Sequence, residues 1–173
     1  MSVVKRLGRA RAGVELGVVA DHYHGDRKAV LRLLNDALAT KIVCMLRYRR
    51  HHFMARGLAA QRIAEEFLVH ADEELAHADL IAERMVQLGG EPDFAPETLQ
   101  PRSHAQYVAA SSIIEMVREN LVAERIAVET YLEIARWLGT DDPTTRRVIE
   151  NILQKEEEHA EDMSTLLGRL PSE

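Results

Sequence analysis

The stretch FLVHADEELAHADLIAERMVQL, residues 67–88, reads in sevens as Phe67, Glu74, Ile81 and Leu88. An adjoining row holds Ile63, His70 and His77. Apolar residues at this spacing form one face of a long helix. Glu74 interrupts that face at its middle, and His77 lies one turn further along the same side. A lone carboxylate on a core-facing stripe is costly to bury. The stretch therefore predicts a long helix with a polar station that needs a counter-charge.

Three other segments repeat the pattern. One carries Leu34, Lys41 and Tyr48, with Leu31, Leu38 and Met45 beside them. Another carries Val117, Glu124, Tyr131 and Leu138, with Ile114, Leu121 and Val128. The last carries Ile149, Glu156 and Met163, with Ile152, His159 and Leu166. Each stripe is apolar except near its middle. Glu74/His77 and Glu156/His159 are both E-x-x-H pairs, which place carboxylate and imidazole on one helical face. Three glutamates at one depth call for a strong cation. Carboxylate oxygens with neutral imidazoles suit iron, manganese or zinc. The competing reading is a set of salt bridges at the core edge, which leaves the shared phasing unexplained.

Punctuation agrees with four helices. Pro92, Pro96, Pro101, Pro143 and Pro171 fall between or outside the long segments, and Gly25, Gly57, Gly89, Gly90, Gly139 and Gly168 fall at the same joints. Proline lacks the N–H and glycine is entropically costly inside a helix. The uninterrupted segments are roughly 27–56, 59–88, 113–138 and 143–168. Ser112 to Glu115 reads as a capping box, and Asp142-Pro143 as an N-cap with proline in the first turn. Short links at Gly57 and Gly139 predict two antiparallel hairpins. Between them lies GGEPDFAPETLQPRSHAQYVAAS, residues 89–111, long enough to cross the length of a bundle. The expected fold class is all-α: a four-helix bundle with one long crossover between the second and third helices. The expected division is an N-terminal arm at 1–26, the bundle at 27–168 and a tail at 169–173.

Bulk properties narrow the function. The 173 residues are 46% hydrophobic and 29% charged, which suits one soluble domain with a sizeable core. The net charge of −6 argues against a general nucleic-acid coat. One cysteine, Cys44, excludes an intrachain disulfide and a cysteine-only metal site; within an apolar helix it reads as a small buried hydrophobe. No stretch approaches the ~20 apolar residues of a membrane span. The N-terminus lacks the apolar run of a secretory signal, so a cytoplasmic protein is expected. Its arm carries Lys5, Arg6, Arg9 and Arg11, with no acid before Glu15. We read it as a solvated leader, with contact to DNA phosphate as the lesser alternative.

The chain also echoes itself. LATKIVCMLRY, residues 38–48, is similar to LVAERIAVETY, residues 121–131, and EELAHAD at 73–79 is similar to EEEHAED at 156–162. One helical hairpin is used twice. In this register Lys41 corresponds to Glu124, so a lysine stands where the repeat expects a carboxylate.

Taken together, LNDALATKIVCMLRY, EELAHAD, LVAER and EEEHAED resemble the motifs of the ferritin-like di-iron carboxylate proteins. Bacterioferritins and the Dps-like mini-ferritins are most similar. The resemblance covers about residues 30–168 and implies a ferroxidase site. Two ferrous ions would be oxidised there by O2 or peroxide, and the ferric product stored or released. It implies bridging roles for Glu74 and Glu156, a histidine ligand on each metal from His77 and His159, a terminal carboxylate from Glu124, and Tyr48 near the site. Lys41 occupies the sixth ligand position. Bacterioferritins ligate haem through a methionine that is Leu75 here, so haem is not expected. Only fourteen residues follow His159, which favours a homo-oligomeric dimer or small cage over the larger one that uses a fifth helix.

Lys41 decides how far that activity carries over. Its side chain is long enough to reach the vacated metal position, and nearby carboxylates favour its charged form. The alternatives are a mononuclear centre on Glu124, Glu156, His159 and Glu74, a metal-free structural centre, a weakened two-metal centre with Lys41 bent away, or a variant of a glutamate-bearing protein. Other functions in view are a di-metal oxidase or peroxidase acting on another substrate, and a metal-poor interaction or DNA-protecting protein. His51 and His52 read as a solvated pair, with His52 a candidate for an entry path. His70 reads as a residue beside the site and not a ligand. His22 and His24 are expected to face solvent.

Overall fold

The computed structural model describes residues 5, 23, 25–56 and 60–170. Most of the basic arm, with His22 and His24, lies outside the described residues, as do the link at Gly57 and the last three positions. Five helices are present among them: α1 Arg27–Met54, α2 Gln61–Gln87, α3 Pro96–Arg102, α4 Ile113–Leu138 and α5 Pro143–Arg169. No strand occurs among the described residues.

Helix limits follow from their local chemistry. The Asp26 carboxylate accepts from the Ala29 amide and starts α1. Ser112 accepts from the Glu115 amide to start α4. The Glu115 carboxylate turns back to the Ser111 amide at 2.7 Å, one residue before the partner of a standard capping box. At α5, Asp142 accepts from the Thr145 amide, and Pro143 fills the first turn. Gly89 ends α2 at φ +72°, and the Gly90 amide reaches back to the Met85 carbonyl at 2.9 Å. A β-carbon on Gly90 would lie 2.3 Å from Leu31 Cδ2, so glycine lets α1 close over this turn. The sequence reading treated 89–111 as plain connector and missed α3, although Pro96 in its first turn is a recognised start signal.

α1 packs chiefly on α2, and α4 on α5. Contacts between the hairpins set their directions. Tyr48 meets Glu124, Arg47 meets Asn120, and Lys41 lies over Tyr131, so α1 and α4 are antiparallel. Arg84 meets Thr145 and His70 approaches Asp162, so α2 and α5 are antiparallel. The segment between α2 and α4 is pinned along α1 in sequence order. Asn35 binds the Asp93 amide, Thr40 the His104 amide, Arg47 the Gln106 carbonyl and His51 the Val108 carbonyl.

That last contact corrects the reading of His51 as solvated. His51 is fully buried. Its Nε2–H points to the Val108 and Ala109 carbonyls, and its Nδ1 accepts from Asn120. Burial, assisted by Arg47, lowers its pKa to about 4, so it is neutral. His52 instead donates to the Ala64 carbonyl at 2.7 Å, which ties α1 to the start of α2.

The core has two apolar halves. One is built from residues including Leu34, Leu38, Ile81, Met85, Ile134, Ile149 and Ile152. The other includes Ile63, Phe67, Met116, Val117, Leu121 and Met163. Between them lies a layer of buried charge: Lys41, Glu74, Glu124, Glu156 and His159. Cys44 is buried beside Ala105 and Ala123, as expected of a small apolar side chain.

Candidate metal centre

Four helices contribute to the charged layer. α1 supplies Lys41 and Tyr48, α2 Glu74 and His77, α4 Glu124, and α5 Glu156 and His159. The stripes converge at this depth because each helix carries its polar station at the middle of an otherwise apolar face. Lys41, Glu74, Glu124 and Glu156 are fully buried.

Lys41 is turned into the centre. Its ammonium lies 2.8 Å from Glu74 Oε2 and donates to Glu74 Oε1 at 3.1 Å. It also donates to Glu156 Oε2, and it sits 5.1 Å from the centroid of the Tyr131 ring. The arrangement with Lys41 bent away is thus not the one seen. Burial opposes charge on Lys41, but Glu156 and Glu74 outweigh it and raise its pKa well above the usual lysine value. Burial alone would raise Glu156; the Lys41 ammonium beside it holds it down at about 2.

Glu74, Glu124, Glu156 and His159 each offer an atom within 4.8 Å of the others. His159 Nδ1 is 3.7 Å from Glu74 Oε1 and 3.9 Å from Glu124 Oε2. Neither that Nδ1 nor Glu124 Oε2 has a hydrogen-bond partner. Glu74 Oε2 and Glu156 Oε1 lack one as well, and buried polar atoms without partners are uncommon. His77 stands outside the four-donor set. Its Nδ1 is 3.3 Å from Glu156 Oε1, without hydrogen-bond geometry.

Neighbouring groups hold the donors in place. Tyr48 donates its hydroxyl proton to Glu124 Oε1 at 2.6 Å. Glu73 accepts from His159 Nε2 at 2.7 Å, leaving Nδ1 to face the centre. Glu73 and Tyr131 are not among the site residues expected from the sequence. The doubled acid at 73–74 and the repeat pairing of Tyr131 with Tyr48 were the available signals. His70 stacks on His159, with ring centroids 4.0 Å apart. Burial and His159 push His70 down to about 3, so it is neutral.

The layer balances its charge around neutral pH. Burial, with Glu156 and Glu74 close by, raises Glu124 to about 8 and keeps it protonated. Burial disfavours a charged His159, but Glu74 and Glu124 lift it to about 9. Two cations, Lys41 and His159, therefore face two carboxylates, Glu74 and Glu156. Replacing the two protons on His159 and Glu124 by one divalent metal would leave the net charge unchanged.

Residues 31–172 match the protein family described as the ferritin-like domain. A bacterioferritin of Desulfovibrio desulfuricans is 28% identical over 138 residues, covering 78% of this chain and 72% of that one. A nutrient stress-induced DNA-binding protein of Nostoc is 29% identical over 139 residues, covering 79% and 76%. Among solved structures, a dodecameric thioferritin, the bacterioferritin-related protein of Bacteroides fragilis, superposes with a TM-score of 0.79 at 30% identity. That superposition covers 83% of this chain and 86% of the other.

Lys41→Met keeps the apolar stem and removes the ammonium, leaving Glu74 and Glu156 to repel each other in the core. Removing one partner of a buried ion pair costs about 3–5 kcal/mol. Urea unfolding of the metal-free proteins should show a loss of that order; an unchanged midpoint would mean that Lys41 does not neutralise the pair.

Proposed function

We propose, because this chain belongs to the ferritin-like domain family, that it binds ferrous iron within the bundle, with one ion per centre instead of two. The family implies iron binding; the single-ion stoichiometry is our reading of this chain. The observation that carries it is one ammonium and one four-donor set sharing two carboxylates. Lys41 engages Glu74 and Glu156, and the same two carboxylates converge with Glu124 and His159 in a four-donor set.

The donor set fits iron, with manganese or zinc as alternatives of similar chemistry. Glu124 and His159 would give up their protons to bind the ion, and Glu73 and Tyr48 keep those two side chains aimed. Glu74 and Glu156 would each share a carboxylate between the ion and Lys41. Ferrous iron bound there would give one electron to O2 or peroxide and become ferric, the one-electron-reduced oxygen species leaving to solvent, and Lys41 would compensate part of the carboxylate charge without ligating. His77 would remain a spare ligand, available only if the lysine site took a second metal. We read the connector 88–112, pinned along α1, as the long crossover of the family, and the assembly as a homo-oligomer that stores or detoxifies iron. Haem plays no part in this reading.

Lys41→Glu should restore the sixth ligand and raise bound iron from about one to about two ions per chain, because a carboxylate replaces the ammonium that excludes the second metal. Elemental analysis after anaerobic ferrous loading measures this; equal iron in both proteins contradicts the single-ion centre. Proton release gives a second check. His159 and Glu124 hold their protons up to about 9 and about 8 in the metal-free protein. Metal must displace both, so affinity should rise with pH, by up to about two log units per pH unit below the lower value. Above both values the dependence should flatten. Titration with redox-inert Zn2+ in buffers of different ionisation enthalpy counts the protons; affinity independent of pH below that range would exclude these two residues as ligands.

A second reading, protection of DNA, is favoured by Lys5, Arg6, Arg9 and Arg11 in the arm and by the name of the Nostoc relative. Phosphate contacts weaken as salt rises. Gel shifts should then show a salt-sensitive complex that an arm-deleted chain loses; no shift at low salt would remove this reading.

A further inference from the structure

We infer that Glu66, His70 and Asp162 form a second, solvent-facing site for a divalent transition metal, separate from the buried centre. Glu66 and His70 are one turn apart on α2, and Asp162 comes from the antiparallel α5. The three donor atoms lie within 4.8 Å of one another.

His70 makes the triad more than a patch of acid. Its side chain is only 1% exposed, and its orientation is held from two sides. The ring stacks on His159 with a 19° interplanar angle. Nδ1 lies 3.2 Å from the Tyr48 hydroxyl oxygen. That hydroxyl directs its proton at Glu124, so its oxygen accepts from His70 and the ring proton is on Nδ1. The Nε2 lone pair is then free, and it faces Glu66 Oε1 and Asp162 Oδ2, each at 3.5 Å. A protonated Nε2 held by a carboxylate would sit nearer about 2.7–2.9 Å. An imidazole lone pair and two carboxylate oxygens thus converge with no proton between them.

The spacing suits a metal. Bonds of about 2.0–2.2 Å at tetrahedral angles set donors roughly 3.3–3.6 Å apart. The imidazole and carboxylates match ferrous iron, zinc, cobalt or manganese. Glu66 is 35% exposed and Asp162 52%, so an ion arrives from solvent and keeps water in its remaining positions. Among the described residues, neither carboxylate is ion-paired with a lysine or arginine. The site needs no change at Lys41 and no metal in the buried centre.

Crystals exposed to stoichiometric Zn2+ test this by anomalous scattering at the zinc edge. Wild type and Glu124→Gln should both show a peak within the triad, because Glu124 is not one of its ligands. The double variant Glu66→Gln, Asp162→Asn should lose that peak, and calorimetry should show one fewer Zn2+ bound per chain. Both changes are at part-exposed side chains, and circular dichroism checks that the helices persist. Absence of the wild-type peak, or its survival in the double variant, overturns the inference. A filled triad beside an empty buried centre supports this site and contradicts the proposed function; the reverse outcome contradicts this site alone.

Discussion

The ammonium of Lys41, set between Glu74 and Glu156 in the middle of the bundle, is the constraint to which the rest of the structure answers. Two buried carboxylates facing one another from α2 and α5 would repel. A cation from α1 lets those helices approach. Under the proposed function, the same ammonium takes the space and charge of a second metal. On that proposal, stability of the metal-free bundle and capacity for a second metal are opposed through one side chain. Removing such a charge is costly because its partners are left buried and uncompensated. Its presence is not free stability either, since desolvating Lys41 works against the charge it carries.

The remaining donors are arranged around that choice. With Lys41 present, the layer reaches neutrality by keeping protons on Glu124 and His159. Glu124 Oε2 and His159 Nδ1 are among the buried atoms that lack hydrogen bonds, together with Glu74 Oε2 and Glu156 Oε1. On the proposed reading, a divalent ion replacing those two protons would leave the total charge unchanged, and an uncompensated charge in a low-dielectric interior is costly. Tyr48 and Glu73 make the exchange local, because each holds its partner from the outer side and leaves one atom facing inward. His70 links this centre to the surface through its stack on His159 and its contact with Tyr48.

Much of this was legible before any coordinates. The heptad rows carried the phasing of Glu74, Glu124, Glu156 and His159, because core-facing positions recur at fixed helical spacing. Caps at Ser112 and Asp142, and the Gly89-Gly90 stop, set helix ends within a few residues. His51 was misread because two adjacent histidines near a helix end are usually solvated. Its burial depends on Asn120 and on the connector carbonyls at Val108 and Ala109, which are far away in sequence. Likewise, α3 is too short to announce itself by periodicity.

The sequence by itself determined the helices, the depth of their polar stations and the mismatch at position 41, because all three follow from local periodicity and the internal repeat. Only the tertiary structure decided which way Lys41 points and which donors it takes. It alone separated His77 from the four-donor set and brought Glu66 to Asp162 around His70. Those outcomes depend on side-chain directions and distances between helices, where a shift of an ångström or two turns a ligand into an ion-pair partner. No pattern along one chain encodes separations that fine, since they arise only when the helices are packed together.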